Sequence, residues 1–71
     1  MITINNFKRL VHVPNSVEAQ KKLKTEYAGH QVSIGAITRN GLLARHFLVV
    51  TERGDILDMH SNKPFDFSVL D

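Results

Sequence analysis

The 71-residue chain has no cysteine and no tryptophan, only two prolines, and an aromatic content of 7%, too sparse to interleave with its basic residues as a stacking series. Without cysteine there are no disulfides and no thiolate metal ligands, so the fold must rest on its apolar core, and a reducing compartment suits it. No run of 18 apolar residues exists, and the N-terminus lacks the unbroken apolar segment and small-residue cleavage site of a secretory signal. No membrane span and a cytoplasmic location are therefore the expectations. No linker, repeat or low-complexity stretch interrupts the chain, which is expected to be a complete small open reading frame folding as a single domain over residues 1–71. A domain this short buries only about 60% of the surface its unfolded chain exposes, so it holds one core.

What is present is a β-rich middle. Leu42 to Thr51, LLARHFLVVT, lies between Asn40-Gly41 and Arg53-Gly54, both residue pairs that turn a chain back on itself. It is expected to be the central strand of a three-stranded antiparallel meander over residues 31–60. Taking Asn40-Gly41 as a two-residue type I′ turn pairs Arg39 with Leu42, Ile37 with Ala44, Ile34 with Phe47 and Val32 with Val49. Taking Arg53-Gly54 likewise pairs Val50 with Leu57, Leu48 with Met59 and Phe47 with His60. Side chains alternate across a sheet, so one face would carry Ile37, Leu48, Val50, Leu57 and Met59, and the other Val32, Ile34, Ala36, Phe47, Val49 and Ile56. Both faces would be apolar, and each would need a cover.

Before the meander, Phe7 to Val13 reads as a strand stopped by Pro14. Asn15 or Ser16 then caps a helix over about Val17 to Ala28, with Glu18 near capping-box spacing and Gly29 as the stop. Ala19, Leu23 and Tyr27 form its narrow apolar stripe. Ile2 and Ile4 suggest a short edge strand or a loose arm, and the tail FDFSVLD, with Phe65, Phe67 and Val69 alternating, a last edge strand or an extended segment docked on a neighbour. The fold class is α+β, a small single domain of order β-α-β-β-β with one helix packed on one face of the meander and room for an extra strand at each end.

Three functional readings follow. One helix with a narrow stripe cannot cover two apolar faces, and a monomer rarely exposes a contiguous apolar patch above about 300–600 Å². The face with Ile37, Leu48, Val50, Leu57 and Met59 is accordingly expected to meet the C-terminal Phe65 and Phe67, a second copy of the chain or a target protein, with a homodimer the commonest solution among soluble oligomers. That describes a small non-enzymatic binding protein: an inhibitor, adaptor or regulator of the kind that phages and mobile elements encode.

The second reading starts from charge: residues 1–45 carry seven cations against two acids, and residues 46–71 two against five. Lys8, Arg9, Lys21, Lys22 and Lys24 could then contact phosphates as a nucleic-acid regulator, with weak binding expected. The third places Arg45, Asp58 and His60 on one face, where a histidine beside a cation and a carboxylate could act as acid or base on a phosphodiester. That arrangement resembles small bacterial toxin ribonucleases in outline, without a motif match. The four histidines have no metal-ligand spacing, so no metal and no cofactor are expected. Arg53-Gly54-Asp55 reads as a turn, and Gly35 as a bulge or a close backbone approach.

Overall fold

The computed structural model describes residues 1–38 and 40–70, in the order β1 (Ile2–Asn5), β2 (Leu10–Val13), α1 (Ser16–Glu26), β3 (Gln31–Ile37), β4 (Leu43–Val50), β5 (Ile56–Asp58) and a 3-10 helix (Phe67–Leu70). The fold is α+β, with one helix on a five-stranded antiparallel sheet of order β2-β1-β3-β4-β5. No helix among the described residues is long and apolar enough to cross a membrane.

Strand β1 is neither an edge nor a loose arm. It pairs with β2 on one side and β3 on the other, and Ile4 is fully buried. Because β2 and β3 flank β1, the chain has to cross over β1 between them, and α1 makes that crossing. Asn15, extended at φ −155°, accepts at its side-chain oxygen the Glu18 N–H at 3.0 Å, which satisfies one orphan donor of the first turn. At the far end Gly29 takes φ +82° and donates to the Val50 carbonyl at 2.8 Å, and the Val50 N–H returns to the His30 carbonyl, so the helix feeds directly into β3.

The helix lays Ala19, Leu23 and Tyr27 over β1 and β2, with the 3-10 helix beside it adding Phe67 and Leu70. From the sheet, Ile2, Ile4, Val13, Val32, Ile34, Ala36, Leu48, Val50 and Ile56 complete the core. Burying a side chain such as Leu23 contributes about 1.5–3 kcal/mol. All of this lies on one side of the sheet.

The hairpin register differs from the expectation by one residue at both turns. Ile37 pairs with Leu43, Ile34 with His46 and Val32 with Leu48, and Val50 pairs with Ile56 and Leu48 with Asp58. The reason is turn length. In the first hairpin the Thr38 N–H donates to the Leu42 carbonyl at 2.8 Å, the Gly41 N–H to the Thr38 carbonyl, and the Leu42 N–H to the Thr38 hydroxyl. The second repeats this with Thr51, Gly54 and Asp55. Each loop thus spans three positions and ends in a left-handed glycine, Gly41 at φ +78° and Gly54 at φ +89°. A type I′ turn would also need positive φ at Asn40, whereas among the described residues Phe7 and Asn62 are the non-glycines with that conformation. The expected Arg39–Leu42 pair falls on Arg39, outside the described residues.

A β-branched residue at Gly41 would meet no steric obstacle among the described residues, none of which lies within 4 Å of its Cβ position, so it is backbone strain that opposes it. Gly41→Val is expected to lower stability by about 1–3 kcal/mol. Gly41→Asn should cost clearly less. Thermal melts of both check this, and a Val variant melting with the wild type would contradict the turn.

The tail is not a strand either. Pro64 bridges to Leu57 and the Phe65 N–H donates to the Ile56 carbonyl at 3.0 Å, which covers the β5 edge for a few residues before the chain coils into the 3-10 helix.

Candidate functional site

The corrected register redistributes the proposed binding residues. Leu48 and Val50 are wholly buried beneath α1 and the 3-10 helix, while Ile37 and Leu57, paired with Leu43 and Val49, belong to the opposite face. Met59 is half-buried just past β5, its N–H donating to the Phe47 carbonyl. That opposite face has no helix over it. It mixes Leu10, Ile37, Leu43 and Phe47 with Thr3, Asn5, His12, Ser33 and Arg45, and so is less apolar than the slipped register implied. Ile37 and Leu43 are 66% and 71% exposed.

The strand pairings set this open face out in rows. At one end Leu10, Asn5, Ser33 and Phe47 stand side by side across β2, β1, β3 and β4. His12, Thr3, Gly35 and Arg45 form the next row, and Ile37 and Leu43 the third, with Met1 beside them. Gly35 has no side chain in the middle of the face, which leaves a trough of about 370 Å³, within the range of about 300–1,000 Å³ usual for ligand sites. Gly35 therefore marks a hollow, and its partner Arg45 continues the ladder without a bulge.

Thr3 Oγ1 and His12 Nδ1 are hydrogen-bonded at 3.1 Å along one wall. Ser33, only 5% exposed, lines the floor. Arg45 is exposed at the other wall and has no ion pair among the described residues. Among the described residues no carboxylate lines the trough.

The catalytic constellation does not assemble. Arg45 pairs with Gly35 on the open face, whereas Asp58 pairs with Leu48 and so faces the core side. Asp58 instead shapes a turn, its Oδ1 accepting the His60 N–H at 2.8 Å and the Ser61 N–H at 3.3 Å. His60 is exposed in that turn. It is His46 that shares a shallow recess with Asp58, its ring tilted against Phe65 at 5.1 Å between centroids. Among the described residues no three histidines and carboxylates are grouped to hold a metal.

The basic residues are also divided. Lys8 and Arg9 sit in the β1–β2 turn, where the Asn6 N–H donates to the Arg9 carbonyl. Lys21, Lys22 and Lys24 ride on α1, on the side of the sheet away from the trough. Lys22 is held to Glu26 at 2.6 Å, and Lys21 lies 4.0 Å from Glu18.

Thr3, His12 and Ser33 escaped sequence reasoning because they converge only once β1 is threaded between β2 and β3. The one local signal was a lone glycine within a strand. No family model, curated protein or solved structure matches the chain.

Proposed function

We propose that this is a small non-enzymatic binding protein, an inhibitor, adaptor or regulator acting through contact with another protein on the open sheet face. The observation that carries the reading is the uncovered set Leu10, Ile37 and Leu43 around a trough, on the one side of the sheet that neither helix reaches. Interfaces draw their affinity from such apolar anchors beside a few placed polar groups. Less supports the ribonuclease alternative, since Arg45 and Asp58 lie on opposite faces. The nucleic-acid alternative has its helical lysines on the far side, two of them near glutamates.

The test is capture of a partner from cell extract by the immobilised protein, with and without nuclease, comparing wild type with Leu43→Asp. Because Leu43 is exposed, the variant should melt with the wild type. A partner that survives nuclease and is lost by Leu43→Asp, with affinity lower by about 30-fold or more, is the expected result. Capture abolished by nuclease would transfer the function to nucleic acid.

A further inference from the structure

The open face is not uniformly apolar. One outer row sets Leu10 and Phe47 at its ends with Asn5 and Ser33 between them, the other carries Ile37 and Leu43, and the row between, His12, Thr3, Gly35 and Arg45, is polar with a hollow at the glycine. Neighbouring strands lie about 4.8 Å apart, so a group seated over Gly35 has Arg45 on one side and the hydrogen-bonded Thr3–His12 pair on the other. Ser33 stands one step along the same strand face, almost wholly buried, and its hydroxyl has no hydrogen-bond partner among the described residues.

Charge decides what can sit there. Covering Arg45 with a purely apolar partner would bury a guanidinium without a counter-charge, which opposes binding. The occupant must therefore supply an anion. A second copy of the chain docked by this face has none to offer from the described residues, because none of their carboxylates lines the trough: the acids lie on α1, in the β4–β5 turn, on the core side of β5 at Asp58, and at Asp66 in the tail. Nucleic acid fits poorly as well. Among the described residues of the face, one arginine, Arg45, and two separated rings, Phe47 and His12, do not track a phosphate backbone or stack successive bases.

We propose that the trough over Gly35 seats an acidic-apolar peptide segment of a partner protein. One carboxylate is received by Arg45, Ser33 and the Thr3–His12 pair, with apolar side chains on Leu10, Ile37 and Leu43. This rests on the open face being the protein-binding surface and specifies the chemistry it selects.

The test is an NMR titration of the ¹⁵N-labelled protein with an acetylated, amidated peptide alternating leucine and glutamate, its leucine–glutamine counterpart, and oligouridylate. The glutamate peptide should shift the amides of Gly35, Ser33 and Thr3, and the glutamine peptide should bind at least tenfold more weakly. Arg45→Gln should cost the same factor. So should Gly35→Ala, which raises a methyl group into the hollow, yet its Cβ would stand 3.8 Å from Leu43 Cδ1, an ordinary contact, so the fold and melting temperature should persist.

Equal binding of both peptides, indifference to Arg45→Gln, shifts with oligouridylate alone, shifts on raising protein concentration alone, or no shift at millimolar peptide would each overturn the proposal. If it falls while Leu43→Asp still abolishes partner capture, the protein-contact function stands without the carboxylate seat. If both fail, the open face is not the working surface.

Discussion

Leu48→Asp is expected to leave the chain unfolded at room temperature, while Phe47→Asp, one residue away, should keep cooperative unfolding with a loss of about 1 kcal/mol. Leu48 is fully buried opposite Val32, in a core closed by α1 and the 3-10 helix. A carboxylate there either stays charged without a partner or takes up a proton, and either outcome costs several kcal/mol. A domain of this size has only about 5–15 kcal/mol in total, so a loss of that order, added to the lost leucine burial, removes most of the folded population. Phe47 instead faces outward across from Ser33 and is 39% exposed, so aspartate gives up partial burial without entering the core. Circular dichroism melts of the two variants measure the register directly. A strand slipped by one residue predicts the reverse order, with Phe47→Asp the lethal change.

That slip explains which parts of the molecule could be read from the sequence. The helix was legible because its signals are local: Asn15 as cap, the Ala19, Leu23 and Tyr27 stripe, and Gly29 at the exit all do what their residue types favour. The meander strands were legible from composition. Their pairing was not, because Asn40-Gly41 carries the strongest short hairpin signal, and that signal was outweighed by one spread over four residues. Thr38 and Thr51 each stand three residues before a glycine, and each uses its hydroxyl to accept an N–H at the far side of its loop. The shared threonine-x-x-glycine pattern was present in both turns.

A one-residue error in turn length moves every side chain of a strand to the other face, and the candidate binding face inherited that error through Leu48 and Val50. The polar row was illegible for a different reason. His12, Thr3, Gly35 and Arg45 come from four strands, and four-residue β1 has too little pattern to announce that it sits between β2 and β3. Its place inside the sheet, next to β2, also explains how one short helix suffices on the core side: α1 covers β1 and β2, and the tail supplies the rest of the lid.

The tail gives the second large effect, because an extended strand and a 3-10 helix bury different residues. Alternation places Phe65, Phe67 and Val69 on one face, whereas a helix with three residues per turn stacks Phe67 above Leu70 and turns Val69 outward. Phe67 and Leu70 are buried and Val69 is 49% exposed. The turn is started by Asp66, whose Oδ1 accepts the Ser68 N–H at 3.0 Å. Hydrogen bonds from the Ser68 side chain and backbone hold the Asp66 carboxyl below its ordinary range, so the contribution of this cap is present above the unfolded pKa and fades as pH falls through the lowered one.

Phe67→Ala should cost about 3–5 kcal/mol, because the ring leaves a cavity beneath α1 and loses its edge-on contact with Phe65 at 4.9 Å. Leu70→Ala should cost about 2–5 kcal/mol, and Val69→Ala less than about 0.5. Urea unfolding decides the matter through midpoints at constant slope. A silent Leu70→Ala beside a costly Val69→Ala would mean that the tail lies extended as a strand, and that part of the core under α1 is filled by something else.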